Sequence, residues 1–554
     1  MKVVIVGAVA AGMSAATRLR RLDENAEIVV LEAGAHVSFA NCGLPYYVGG
    51  VIEDRGSLLL QTPESLHARF ALDVRTHSRA VDIDAEAHTV TVSTADGDTY
   101  LESYDHLVLS PGARPIVPDV PGAERTLVLR DVADVDRMAE HTADARTAVV
   151  IGGGFVGLEV AENLRHRGLD VTVVELAPQV LGALDAEMAV RVQDRLERHG
   201  VRVLTGAQVT EITPDSAVVS GPEGEQTLPA DMVVASIGVN PDSTLARAAG
   251  ADLGPRGAIL VDDDMRTSVP GIYAVGDAAA KRDAFADGPT LIPLANLANR
   301  HGRRVADVIT GHAGRGRPSI GTAVVGVFGL TAAVTGRTER RLRGEGRACR
   351  AIHTHPMDHA GYYPGASAMA LKLLVDPVTD QILGAQGVGE AGVDKRIDVI
   401  ATAIHGGLTA SELADLELAY APAYGSAKDP VNMLGYVAEN LSVGESPSIQ
   451  WHELADADDA PMVVDVRSAA EHSRGTVVPP WGQEPVNIPV DDLRARHDEL
   501  PRDRRIVVHC QVGQRGHTAT RLLRQLGYDA INLDGGYLTW RDGVRTLQPV
   551  AAPA

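Results

Sequence analysis

The 554-residue chain is 45% hydrophobic and 22% charged, and its 51 Lys and Arg against 73 Asp and Glu leave a net charge of -22. That length suits several globular domains, and the acidic balance argues against general nucleic-acid binding, which needs a basic face, while leaving room for a local basic pocket. Three cysteines in such a length do not make a disulfide framework, so a reducing cytoplasm is the expected compartment.

The apolar run at 3–6 is too short for a signal-peptide core and leads directly into Gly7 and Gly12, so it is predicted to be a strand. No stretch reaches the roughly 18 apolar residues of a membrane span. A helical run carrying Arg18, Arg20 and Arg21 follows, then a strand at 28–31 ending in Glu32. The same order recurs later. An apolar strand enters Gly152-Gly153-Gly154-Phe155-Val156-Gly157, a helix follows, and a strand at 171–174 ends in Glu175. Strand, glycine turn, helix, strand and acid form the dinucleotide fingerprint. One glycine permits the turn, one lets the backbone approach pyrophosphate, and one lets helix pack on strand, with the helix N-terminus facing the anion. The first copy departs from the pattern, with Val9 at the middle position.

Between the two copies, the strand at 107–109 ends in Ser110-Pro111-Gly112, and a parallel segment at 233–235 ends in Ser236-Ile237-Gly238. The run Gly271-Ile272-Tyr273-Ala274-Val275-Gly276-Asp277 places a carboxylate at the end of a buried strand, where it suits a ribityl hydroxyl. From about Thr322 the pattern changes to an α+β region. Residues 441–448 read as a linker. A further α/β unit follows, with strands at 462–466 and 506–509, a loop opening on Cys510, and a helix at 518–526.

Cys42 lies in Ser38-Phe39-Ala40-Asn41-Cys42-Gly43-Leu44-Pro45-Tyr46-Tyr47, without a cysteine partner at short spacing. A lone thiol beside a flavin stores its oxidising equivalent on a small molecule or as a sulfenic acid. Taken together these motifs resemble the pyridine nucleotide-disulfide oxidoreductase family over residues 1 to 440. The Cys42 run and Tyr420-Ala421-Pro422-Ala423-Tyr424-Gly425-Ser426-Ala427-Lys428-Asp429-Pro430-Val431-Asn432 resemble its coenzyme A-disulfide reductase branch. Residues 450 to 545 resemble a rhodanese domain, through Val464-Asp465-Val466-Arg467, Asn487-Ile488-Pro489, the Cys510 loop and Leu533-Asp534-Gly535-Gly536-Tyr537. The whole chain thus resembles the coenzyme A-disulfide reductase–rhodanese fusions, also described as persulfide reductases.

The resemblance implies an α/β chain with two Rossmann-like dinucleotide-binding domains, an α+β dimerisation domain and a C-terminal α/β rhodanese domain. FAD would take 1–115 with 245–320, and NAD(P)H 116–244. Dimerisation would use 321–440, with a linker at 441–449 and the rhodanese domain at 450–554. Gly7, Ala11, Gly12, Glu32, Ser110, Gly112 and Asp277 would hold FAD. Gly152, Gly154, Gly157, Glu175 and Gly238 would hold the nicotinamide cofactor. Ser14, Arg18, Arg21, Ser38, Asn41 and Lys428 would contact coenzyme A. Tyr362 and Tyr420, from the other subunit of a homodimer, would face the Cys42 sulfur. No metal is implied.

On this reading Cys42 forms a mixed disulfide with coenzyme A that NADH reduces by way of the flavin. The alternatives are an NADH oxidase or peroxidase cycling through Cys42 sulfenic acid, and a redox-sensing binding module. The glycine, proline and aromatics after Cys42 suggest a helix start whose dipole would lower the thiol pKa. Arg18 and Arg21 share one helix face, suited to phosphates, while Arg20 points elsewhere. His353 and His355 precede a proline but lie too early for a chain-end His–Pro pair, so a surface or structural role is expected. Glu175, followed by Leu176-Ala177-Pro178, favours NADH, with NADPH as the second possibility. Cys510, in His509-Cys510-Gln511-Val512-Gly513-Gln514-Arg515-Gly516, opens a loop whose backbone N–H groups can ring a persulfide, with Arg515 inside it. Gln511 stands where a cation is common, which leaves the sulfur donor open. Cys349 reads as structural.

Overall fold

The computed structural model describes residues 1–312, 314 and 316–547; residues 548–554, the end of the expected last domain, lie outside the described residues. Two compact units result: Met1–Pro178 with Gly200–Gly321, and Gln179–His199 with Thr322–Ala554.

The first unit is organised by two parallel sheets. One has the order Ile272–Ala274, His106–Leu109, Lys2–Val6, Glu27–Leu31, Asp73–Arg75. The other has the order Arg202–Thr205, Asp170–Glu175, Thr147–Ile151, Met232–Ala235. All their pairings are parallel. Parallel strands covered on both faces read as unbroken apolar runs, and Val3, Val4, Ile5, Val149 and Val150 are fully buried. Six of the seven strands expected here fall within two residues of their observed bounds, and the seventh, Ile272–Ala274, ends three residues before Asp277. In each sheet the strand entering a glycine turn lies between the strand ending in the acid and the strand ending in a serine. That puts the turn at the carboxyl edge, where strand order switches.

The second unit holds an antiparallel sheet of order Thr322–Val327, Leu330–Gly336, Ile382–Gly389, Met369–Val375, Arg350–Thr354. The helices Val393–Gly406 and Pro430–Ser442 share one core with it through Leu371, Leu373, Ile397, Ile400 and Leu434. A five-stranded parallel sheet follows, of order Ser448–Ile449, Ala530–Leu533, Ile506–His509, Met462–Asp465, Val486–Asn487. Two expectations shift. The stretch read as a linker is partly structured, because the preceding helix runs to Ser442 and Ser448 already pairs as a strand. The helix after Cys510 begins at Gln514, four residues before the expected start at 518, because Gly513 at φ 91° turns the chain directly into it.

A buried cation ties this unit together. The Lys372 side chain is 0% exposed, with its Nζ 2.6 Å from Glu187, 2.7 Å from Glu339 and 2.9 Å from Asp185. These three carboxylates converge as metal ligands would, and the ammonium takes the place of an ion. Asp185 immediately precedes, and Glu187 lies in the first turn of, the helix Ala186–Arg198, so a segment remote in sequence is pinned to the sheet. Burial alone would raise the Glu187 carboxyl, but Lys372 and His353 outweigh it and hold it far below the usual carboxylate range. Glu339 is likewise depressed, with His452 and Lys372 outweighing its burial.

Removing one partner of such a cluster leaves uncompensated buried charge. Lys372→Met is therefore expected to cost about 3–5 kcal/mol of unfolding free energy at neutral pH, read by urea denaturation. Depressed carboxyls contribute stability that is complete above their ordinary 4.5 and fades as pH falls below it. The deficit should therefore shrink in acid; a deficit that stays constant with pH would contradict the charge argument.

Candidate active site

The two glycine turns are built alike. Gly7 has φ 100° and Gly152 φ 103°. A Cβ on Gly7 would overlap the Ser110 carbonyl, and one on Gly152 the Ser236 carbonyl. A Cβ on Gly12 would overlap the Gly7 carbonyl, and one on Gly157 that of Gly152. The acids brace the turns identically. Glu32 accepts from Ala8 N at 2.9 Å and Gly34 N at 2.8 Å, and Glu175 accepts from Gly153 N and Ala177 N, both at 2.7 Å. A carboxylate has about four lone-pair sites, so both keep capacity for a ribose hydroxyl. At the middle position the copies differ: the Cβ direction of Gly154 meets open space, and Val9 fills the matching place before the helix Ala10–Leu22. Ala11 is buried under the first turn. Gly112 and Gly238 flank the strands Ala113–Pro115 and Val239–Pro241, which pair antiparallel and link the two sheets. Asp277 sits in a short 3-10 turn after Ile272–Ala274, its carboxyl pushed up by burial and eased by Lys281.

Cys42 occupies a 3-10 turn, Asn41–Gly43, ahead of the helix Leu44–Val48. Its thiol is exposed to solvent, yet enough protein surrounds it that desolvation raises its pKa, and Glu159 and Asp277 add to the rise. This corrects the expected lowering by a helix start: burial first, then Glu159 and Asp277, push the thiol up. Tyr46 donates to Glu159 at 3.1 Å and is pushed up to about 12 by burial and that carboxylate.

Around this turn, Ser38 adopts left-handed backbone at φ 48°, held by Ala8 O and Leu60 N. Non-glycine residues held in that region concentrate at ligand sites. Asn41 is exposed, as is Arg21. Arg18 pairs with Asp307 at 2.8 Å, and Ser14 donates to Asn299 at 2.5 Å. Arg20 is buried, donating to the carbonyls of Phe70, Ala71 and Glu24, so it points elsewhere as expected.

In the second unit, the Tyr362 and Tyr420 hydroxyls meet at 3.1 Å on the surface, and that bond raises the Tyr362 pKa. Tyr363 instead packs edge-on against His359. Lys428 is exposed beside Asp429, which caps the helix Pro430–Ser442 and pairs with Arg396 at 2.9 Å.

Cys510 is fully buried at the end of Ile506–His509. Its carbonyl accepts from Tyr537 N at 2.8 Å, and that of Gln511 from Leu538 N at 3.1 Å. Arg515 is held by Glu471 at 2.6 and 2.8 Å, and its pKa is raised by Glu471 first and by Cys510 as well. Arg467, locked to Asp465, donates to Gln511 Oε1 at 3.0 Å. A cation thus stands behind Gln511, supplied by the Asp465-Val466-Arg467 run. His353 is buried with both ring nitrogens bonded, and His355 is half-buried and bonded to Thr539, so the surface alternative for them gives way to the structural one. Burial and Glu339 push the Cys349 thiol up to about 11, which disfavours a reactive thiolate.

A family model for pyridine nucleotide-disulphide oxidoreductases matches residues 1–302, its dimerisation domain matches 322–430, and a rhodanese-like domain matches 448–542. The chain belongs to the pyridine nucleotide-disulphide oxidoreductase family. It is 33% identical over 444 residues to a coenzyme A disulfide reductase of Staphylococcus epidermidis, covering 79% of this chain and 100% of that protein. It is similar to the crystal structure of reduced Bacillus anthracis CoADR-RHD, with TM-score 0.95 and 44% identity over 98% of both chains. It is also similar to an NAD-dependent persulfide reductase from A. fulgidus, with TM-score 0.89 and 38% identity, covering 98% of this chain and 100% of that one.

As a member of this family the chain is an FAD-dependent pyridine nucleotide oxidoreductase with a dimerisation domain and a C-terminal rhodanese domain. The residues fit both nucleotides: two braced turns with unfilled acceptor capacity, and at Gly154 a space that protein atoms leave open. Sequence reasoning missed Asn299, Glu159 and Glu471. Only Glu471 carried a signal, as the fourth residue of a capping box opened by Ser468.

Two expected outcomes follow from this geometry. Gly157→Ala forces overlap and should cost about 1–3 kcal/mol of stability, whereas Gly154→Ala should leave unfolding unchanged and weaken NAD(P)H binding; equal unfolding costs would refute the distinction. Glu159→Gln removes a charge that raises the Cys42 pKa, so alkylation of Cys42 by iodoacetamide should begin at lower pH. An unmoved alkylation profile would contradict that reading.

Proposed function

We propose that this enzyme reduces coenzyme A disulfide, coenzyme A persulfide or polysulfide with NADH through Cys42, and that its rhodanese domain supplies sulfane sulfur from Cys510. The observation that carries this is the isolation of Cys42: the other cysteines among the described residues, Cys349 and Cys510, are free and belong to the other compact unit. In the proposed cycle the second sulfur of a disulfide at Cys42 comes from a substrate. The similarity to a coenzyme A disulfide reductase and to an NAD-dependent persulfide reductase supports coenzyme A thiol derivatives as that substrate.

The Cys42 thiolate attacks coenzyme A disulfide, one S–S bond forms as another breaks, and coenzyme A thiolate departs. With coenzyme A persulfide, attack at the sulfur bonded to carbon expels hydrosulfide and leaves the same mixed disulfide. An electron pair from NADH and a proton then return Cys42 to the thiolate and release coenzyme A. FAD, when bound by Gly7, Ala11, Gly12, Glu32, Ser110, Gly112 and Asp277, supplies the electron relay. Gly152, Gly154, Gly157, Glu175 and Gly238 hold the nicotinamide nucleotide, and Glu175 repels a 2′-phosphate, which favours NADH over NADPH. Ser14, Arg18, Arg21, Ser38, Asn41 and Lys428 bind coenzyme A, with its phosphates displacing Asp307 from Arg18.

The paired, exposed Tyr362 and Tyr420 of one protomer meet Cys42 of its partner in a homodimer. Tyr362 keeps its proton at neutral pH and gives it to the departing thiolate. The FAD region is 1–115 with 245–320, the NADH region 116–244, the dimerisation region 321–440, and the rhodanese region begins at 450. Free cysteines suit a reducing cytoplasm, and no helix among the described residues is long and apolar enough to cross a membrane.

Two variants test the division of labour. Cys42→Ser should reduce NADH-dependent reduction of coenzyme A disulfide to background while leaving sulfur transfer intact. Cys510→Ser should keep reduction of presented coenzyme A persulfide and lose sulfur transfer. Loss of both activities in the Cys510 variant would refute the relay.

A further inference from the structure

We propose that His353, on a strand of the antiparallel sheet, is a positioning residue for the Cys510 sulfur-transfer loop, acting through Asp534. This rests on the reading of Cys510 as the sulfur carrier. His353 meets Asp534 with three bonds: its backbone N donates to both carboxylate oxygens, at 3.2 and 3.0 Å, and its Nδ1 to Oδ2 at 2.6 Å. The far ring nitrogen lies 3.0 Å from Glu187. A carboxylate at each end requires both ring nitrogens to donate, which only the imidazolium does.

Asp534 immediately precedes Gly535 and Gly536, at φ 64° and 63°. A Cβ on Gly536 would lie 2.6 Å from Cys510 O, 2.8 Å from Gly513 N and 2.9 Å from Val512 N, and one on Gly535 would lie 2.8 Å from the His353 Cβ. The glycine pair is thus pressed between His353 and the backbone of the Cys510 loop, while Tyr537 and Leu538 donate to the carbonyls of Cys510 and Gln511. His355, just past the end of that strand, bonds Thr539 in the helix that follows, at 2.8 Å. Backbone N–H groups can cradle a persulfide only if the loop keeps its curvature, and the device that fixes the back of this loop lies outside the rhodanese domain.

The other charged groups facing His353 are Lys372, its cross-strand partner, which Asp185, Glu187 and Glu339 surround, and, near His355, Arg191 and Arg541. Burial lowers the His353 pKa, and the bonds to Asp534 and Glu187 outweigh it and carry it up to about 9. A raised histidine contributes order that is complete below its ordinary 6.5 and is lost as pH rises through about 9.

The test uses the full-length holoenzyme, with thiosulfate and inorganic polysulfide as sulfur donors and cyanide as acceptor. His353→Gln should lower kcat for sulfur transfer about tenfold or more with KM little changed, and NADH-dependent reduction of coenzyme A disulfide should stay within about twofold. Asp534→Asn removes one of the carboxylates that raise the histidine. The alkaline fall of the sulfur-transfer profile should therefore move to lower pH, a readout that survives if the His353 variant misfolds. Unchanged kcat in His353→Gln, an unmoved alkaline limb in Asp534→Asn, or a parallel fall of both activities would overturn the proposal. Cys510→Ser, assayed alongside, separates the two layers: if it retains transfer, the reading of Cys510 fails rather than the role of His353.

Discussion

A disulfide needs two sulfurs, and the compact unit that holds Cys42 contains no other cysteine. That constraint orders everything around it. On the proposed cycle the substrate brings the second sulfur, which needs a turn open to solvent, and Cys42 is exposed even though burial and two carboxylates raise its pKa. A thiol kept protonated in the resting protein is protected against adventitious oxidation, because the thiolate is the reactive form. Activation then depends on what arrives. On the proposed cycle, a cationic nicotinamide bound near the turn would favour the thiolate.

The second unit follows a different physical rule. Its sheets pack through ordinary apolar cores, but the places where they meet are joined by buried charge. Lys372 gathers Asp185, Glu187 and Glu339, and His353 passes the contact on to Asp534. Buried ion clusters seldom add net stability relative to an apolar substitute, but they fix geometry, because each member is costly to leave unpaired. A loop supported by such a cluster, as the Cys510 loop is by way of Asp534, inherits its rigidity. Arg191 with Asp542 at 2.6 Å adds a partly buried pair on the helix Ala186–Arg198, and Arg545 with Asp194 at 2.6 Å a more exposed one.

Much of this was legible in the chain. The strands 3–6, 107–109, 149–151 and 233–235 were readable because parallel strands buried on both faces are continuous apolar runs, and the glycine turns because each places backbone where a Cβ would strike a carbonyl. The opposed directions of Arg18 and Arg20 followed from helical spacing. The thiol pKa at Cys42 was misread, since local sequence announces a helix start but not a glutamate from another helix, 117 residues away. The ammonium cluster was invisible for the same reason: Glu187 and Lys372 are separated by 185 residues, and single charged residues in strands and helices carry no periodic signal. His353 stood out only by its proline neighbourhood, which concealed the bond that gives it a role.

The most direct measurement is the intact mass of the full-length protein oxidised in air without added reductant, with the modified peptide mapped. A coenzyme A adduct on Cys42 is the expected result and would establish that the missing second sulfur is supplied by that thiol. One or more oxygens on Cys42 with no coenzyme A would contradict it, favouring an NADH oxidase or peroxidase cycle through sulfenic acid and removing the basis for the coenzyme A contacts at Ser14, Arg18, Arg21, Ser38, Asn41 and Lys428.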